Sequence, residues 1–215
     1  MIKVGLSGNR FSGKNEVCNM FRKISIPIFE ADVVLKFIIN HDMEINKQIR
    51  DKIAEMYGTS SRFISPSLSK TKEEIEIILD IAQDSLFKSY GIFSKKNESS
   101  VYTIFKSSVL FEKGWDKLMN YNISVFAPKI TRMRRYQESY KKKITDVSFI
   151  LKDEIDDTYK NRLSNFVVHC YDNYSGGSLK KQVEDIDQSI INAFLKSETP
   201  SRWSSDGKGI ILTHF

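Results

Sequence analysis

Cysteine is scarce in this 215-residue chain: two thiols, Cys18 and Cys170, imply no disulfide framework. Histidine is as thin, with His41 and His214 isolated and His169 beside Cys170, so no second Cys or His stands at metal-ligand spacing. Long apolar runs are missing too. The longest, residues 33–39, is broken by Lys36 and falls far short of the roughly 20 residues that a membrane-spanning helix needs. Met1-Ile2-Lys3-Val4-Gly5 lacks the apolar centre of a secretory signal and passes directly into a strand-like alternation. Neither sign of charge dominates: 33 Lys and Arg against 27 Asp and Glu leave +6. That excess suits an anionic ligand and is too small by itself to argue for nucleic acid. With 40% apolar and 28% charged residues, a sizeable core is possible and disorder throughout is not expected. The expectation is a soluble cytoplasmic protein of one domain, with room for an insertion.

What is present is a repeated change of period. Ile2, Val4 and Leu6 alternate with small or polar residues, as in a strand. Turn formers follow over residues 7–13, and then Val17, Met20, Phe21 and Ile24 fall at helical spacing. Residues 26–29 read as a second buried strand with Pro27 near its start, after which Asp32 is placed to cap a helix carrying Val33, Val34, Phe37 and Ile38. Residues 45–89 read as mostly helical, clearest over 73–87 and interrupted near Gly58, and residues 94–100 as a polar loop. Residues 101–105, 123–127 and 166–170 are further short strands. Residues 132–160 are highly charged and helical in character, and Leu179, Val183, Ile186, Ile190 and Phe194 mark a last amphipathic helix. Strands alternating with helices predict an α/β fold, a mostly parallel sheet covered on both faces.

Gly8-Asn9-Arg10-Phe11-Ser12-Gly13-Lys14 fits the first seven positions of the phosphate-binding loop G-x-x-x-x-G-K-[ST], in the strand–loop–helix context that the motif requires. The chemistry needs a turn in which successive N–H groups converge on phosphate oxygens, a helix N-terminus behind them, and a lysine reaching the terminal phosphates. ATP is therefore expected along Gly8, Asn9, Arg10, Phe11, Ser12, Gly13, Lys14, Asn15 and Glu16. At the eighth position, where a Ser or Thr hydroxyl ordinarily holds Mg²⁺, the chain has Asn15, a neutral amide donor on a longer arm. Glu16 adds a negative charge to the first helical turn, favourable for the helix dipole and repulsive toward a nearby phosphate.

The first 32 residues resemble the start of dephospho-coenzyme A kinases. Val4-Gly5-Leu6-Ser7-Gly8, Ser12-Gly13-Lys14 and Ile26-Pro27-Ile28-Phe29-Glu30-Ala31-Asp32 follow that family's G-L-T-G-G-I-G-S-G-K-S-T and I-P-V-I-D-A-D segments in order and spacing. Val109-Leu110-Phe111-Glu112-Lys113-Gly114 is similar to its P-L-L-F-E-x-G, with Ser108 at the usual proline. Residues 123–128 with Arg132 and Arg135 resemble its strand, A-P turn and lid, and Phe166-Val167-Val168 with Asp172-Asn173 its late D-F-V-I-x-N element. The resemblance implies a P-loop kinase fold, ATP and Mg²⁺, and transfer of the γ-phosphoryl group to the ribose 3′-hydroxyl of dephospho-coenzyme A. By the same likeness, Asp32 would orient or deprotonate that hydroxyl, Lys14 and Arg135 would neutralise transferring charge, Asn173 would lie near the adenine, and Asn15 would face the Mg²⁺ ion. The chain departs from the family at Ser139-Tyr140, where an Arg-Asp pair is usual, and at Lys70 in place of an arginine. Two other readings stay open: a P-loop kinase with another acceptor, such as a nucleoside monophosphate, and a non-catalytic ATP-binding descendant of the family, the latter kept open by Asn15, Glu16 and Ser139.

The boundaries expected are a single P-loop kinase-like domain over residues 1–196, with a helical substrate-binding excursion over about 38–92 and a lid over about 132–162, and a C-terminal tail over 197–215. Arg132, Arg134, Arg135 and the lysines at 141–143 interleave with Tyr136 and Tyr140. Such a cluster is open to three readings: a phosphate-clamping lid, a solvated helix, and a nucleic-acid surface that nearby acids dilute. His169-Cys170 in an apolar strand reads as a buried structural pair, and Trp115 is expected to pack beside the Phe111 segment.

Overall fold

A computed structural model describes residues 1–60, 71–140, 154–171 and 176–198. Five strands form one parallel sheet in the order β2-β3-β1-β4-β5. β1 (Ile2–Ser7) lies at its centre, between β3 (Tyr102–Lys106) and β4 (Tyr121–Phe126), while β2 (Ile28–Glu30) and β5 (Phe166–His169) form the edges. Central parallel strands are covered on both faces, which explains why every residue of β3 is buried.

On one face, α1 (Lys14–Lys23) and α7 (Gly176–Glu198) pack Val17, Phe21, Val183 and Ile190 against Val4, Leu6, Ile104 and Val125. On the other, α2 (Ala31–His41), α3 (Met43–Tyr57) and α4 (Lys72–Lys96) pack Ile38, Ile49, Ile53 and Leu86 over Phe29 and Phe105. The Phe105 ring stacks on Phe29 and on Phe87, with centroids 5.6 and 5.4 Å apart. Trp115 joins this cluster with Phe111, as its sequence neighbourhood implied. α5 (Lys129–Tyr140) and the short α6 (Asp157–Arg162) complete the described α-helices, and a 3-10 turn spans Trp115–Leu118. None of the described helices is long and apolar enough to cross a membrane.

Two local expectations are corrected. The loop expected over residues 94–100 is helical to Lys96, because Ser94 is buried on α4 and Asn97 Nδ2 donates to Phe93 O at 2.8 Å only at the helix end. Asp32 does not cap α2: the helix starts one residue earlier, at Ala31, behind Glu30. The Asp32 carboxylate instead accepts from Ser108 Oγ at 2.7 Å and from the Ser108 N–H at 3.1 Å. The expected interruption near Gly58 is present, where a left-handed glycine with φ 61° ends α3.

Candidate active site

Residues 8–13 leave the carboxyl end of β1 and turn directly into α1, so the loop opens at the edge where ligands of parallel α/β sheets bind. Gly8 is required by close approach: a Cβ there would lie 2.3 Å from the Val125 carbonyl oxygen. Gly13 has φ 107°, and its Cβ would press on Cys170 at 3.1 Å. Phe11 takes φ 60°, a conformation costing an L-residue roughly 1–2 kcal/mol, and its ring is seated edge-on against Tyr136 of α5 at 5.0 Å. Arg135, also on α5, donates to Phe11 O at 3.0 Å and to Cys170 O at 2.9 Å. The expected lid arginine thus braces the loop against the end of β5.

Lys14 folds over the loop, donating to Gly8 O at 2.6 Å and Asn9 O at 3.0 Å. Burial lowers its pKa to about 8, opposed by the Asp32 carboxylate and reinforced by the Lys160 ammonium, with smaller effects of Glu154 and Lys106. Asp32 is exposed and stands close enough to Lys14 to act on its charge. The hydroxyls of Ser7 and Ser12 are buried with no hydrogen-bond partner among the described residues. Convergent ammonium groups and orphaned hydroxyl donors are what a phosphate chain satisfies. Beside the loop lies a cleft of about 830 Å³, lined by Phe11, Lys14, Glu16, Arg135, Ser139 and Tyr171 among others, a size suited to a nucleotide. Gly13 and Asn15 also line it, whereas Asp32 lies outside the lining. Asn173 falls outside the described residues.

Several groups at the site went unassigned in the sequence reading. Lys106 ends β3, in register with Leu6 of β1 and Glu30 of β2. It is buried, and its ammonium donates to Asn15 Oδ1 at 2.7 Å and Glu30 Oε2 at 2.6 Å. Glu30 is held from its other side by Arg22. The usable signal was positional: a lysine closing a β-rich run in a parallel fold belongs to the ligand edge. From the segment before α6, Glu154 Oε1 accepts the Arg10 N–H at 2.6 Å, and Asn9 Nδ2 donates to Asp157 Oδ1 at 2.9 Å. Arg132 is buried and points inward, pairing with Glu154 and with Asp157 at 3.4 Å. That orientation removes it from any nucleic-acid surface, while residues 141–143 lie outside the described ones. Lys160, also buried, pairs with Glu112 at 2.6 Å.

Cys170 and His169 both line the cleft. Burial pushes the Cys170 thiol up to about 11, so it is an inert packing group at neutral pH. Among the described residues no group of three His, Cys, Asp or Glu is placed to hold a metal ion.

The family model for dephospho-CoA kinase matches residues 2–175. The chain belongs to the dephospho-CoA kinase family. A dephospho-CoA kinase of Listeria monocytogenes is 24% identical over 204 residues, covering 91% of this chain and 98% of the relative. A Bacillus cereus dephospho-CoA kinase is 38% identical over 58 residues, a match that spans 27% of this chain and 27% of that relative. A crystal structure from Thermus thermophilus superposes with a TM-score of 0.65 at 17% identity, covering 93% of this chain and 98% of that one, a likeness of fold.

The family implies ATP and usually Mg²⁺, and the donor set here does not fit the metal. The eighth loop position offers a neutral amide oxygen that already accepts from the Lys106 ammonium, and the carboxylate at the end of β2, Glu30, is bound to Lys106 and Arg22. A dication on that same oxygen would face the Lys106 ammonium and be repelled by it.

Proposed function

We propose that this protein binds ATP along residues 8–16 and transfers its γ-phosphoryl group to the ribose 3′-hydroxyl of dephospho-CoA. The observation that carries the reading is the Lys14 ammonium, folded over a phosphate loop and within electrostatic reach of an exposed carboxylate, Asp32, that lies outside the cleft's lining. ATP would place its base in the cleft and its triphosphate over the loop. The acceptor would approach from the Asp32 side. The acceptor oxygen forms a bond to the γ-phosphorus as the bond to the β,γ-bridging oxygen breaks; ADP leaves and the hydroxyl proton passes to Asp32. Lys14 neutralises charge on the transferring group, and Arg135 holds the loop in shape. A cytoplasmic location goes with soluble substrates of this kind.

The Asn15–Lys106 contact favours a second reading, nucleotide binding without transfer. Coupled detection of ADP release with ATP and dephospho-CoA separates the two. The kinase reading expects turnover that Lys14→Ala abolishes and that Asp32→Asn lowers by about 100-fold or more while ATP binding is retained. Turnover unchanged in Asp32→Asn would remove its role. ATP binding without product on dephospho-CoA, but with product on a nucleoside monophosphate, would reassign the acceptor; no product on either would establish the second reading.

A further inference from the structure

We infer that the Lys106 ammonium takes the place of the divalent cation in this site, so that the chain binds ATP as the metal-free anion, clasped between Lys14 and Lys106. The inference rests on the phosphate-loop reading above and goes beyond it, because it assigns the counter-cation of the triphosphate to the protein.

Three observations meet at this point. Lys106 reaches the residue at the loop's metal-ligating position from the adjacent strand, 2.7 Å from Asn15 Oδ1. It is held there: buried at the end of β3, in register with Glu30, whose carboxylate accepts from it at 2.6 Å and pairs with Arg22 behind. The Glu30 carboxylate beside it is engaged by two cations, Lys106 and Arg22. An ammonium group donates up to three hydrogen bonds and accepts none. Two of those of Lys106 go to Asn15 and Glu30, which leaves one for a phosphate oxygen at the mouth of the loop. Asn15 suits this arrangement better than Ser or Thr would, since its amide oxygen extends far enough from α1 to accept from a side chain on β3.

The test needs no variant. Calorimetric titration of the full chain with ATP is run once in EDTA and once in excess MgCl₂. The expected dissociation constants agree within about threefold. Affinity that rises more than about tenfold with Mg²⁺ would overturn the inference and leave the phosphate loop standing. No binding in either buffer would sink the phosphate-loop reading and this inference with it. A second arm addresses Lys106 directly. Lys106→Met is expected to weaken ATP binding in EDTA by about tenfold or more and to recover part of it on adding Mg²⁺. Wild-type affinity in EDTA for a folded Lys106→Met protein, judged by its unfolding midpoint, would show that the ammonium does not serve the nucleotide.

Discussion

Raising the pH from about 7.5 to about 9.5 should remove the proton from Lys14 before ATP arrives, and ATP should then bind more weakly. The cause is structural: packing the ammonium among the loop's atoms lowers its pKa to about 8, with Asp32 and Glu154 opposing the shift and Lys160 and Lys106 adding to it. A bound triphosphate favours the charged form and returns the pKa toward the ordinary lysine value of about 10.5. Binding is therefore coupled to proton uptake between the two values, and affinity falls as pH rises through that window. Linkage between pKa values of about 8 free and about 10.5 bound gives a loss of about 20-fold over these two pH units, or about 1.8 kcal/mol. ATP is fully ionised across the range, since a terminal phosphate has its second pKa near about 6. The Cys18 and Cys170 thiols, both raised to about 11 by burial, stay protonated. Calorimetry in EDTA at several pH values measures the slope, and buffers of differing ionisation enthalpy count the proton taken up. Lys14→Met, with no group to titrate, should bind weakly and without this slope. An affinity for the wild type that stays level over the window would refute the placement of Lys14 against the phosphates.

Gly8→Ala should abolish ATP binding and cost about 1–3 kcal/mol of stability, because the new methyl group would meet the Val125 carbonyl oxygen at 2.3 Å and force the loop or β4 to move; calorimetry and a urea unfolding curve check the two parts. Arg132→Met should destabilise by about 3 kcal/mol, read as a fall in the urea midpoint, because it strands the carboxylates of Glu154 and Asp157 beside a buried site. A midpoint unchanged from wild type would show that those carboxylates find other partners.

Much of the fold was legible because its signals are local. The alternation at Ile2, Val4 and Leu6 and the helical spacing of Val17 and Phe21 correspond to β1 and α1, and the apolar runs at 101–105, 123–127 and 166–170 to β3, β4 and β5 within a residue or two. The end of α4 was misread because a polar stretch carries no mark of which serine is buried; Ser94 packs inward only through tertiary contact. Asp32 was read as a cap because Asp before an apolar-periodic run ordinarily is one, and its engagement by Ser108, 76 residues away, has no local sign.

The sequence by itself determined the phosphate-loop motif, since the seven residues 8–14 are contiguous and two of them are glycines at positions where a Cβ would collide or strain. It determined, too, that position 15 lacks a hydroxyl. Only the tertiary structure decided what stands in its place. Parallel pairing carries the carboxyl ends of β1, β2 and β3 to one edge, and the register sets Lys106 opposite Leu6 and Glu30. Residues 91 positions apart, Lys106 and Asn15, then share a hydrogen bond. The same closure lays Glu154 on Arg10 and Arg135 on Phe11. Such pairings depend on strand register and on which way alternate side chains point, and both are settled when the sheet assembles.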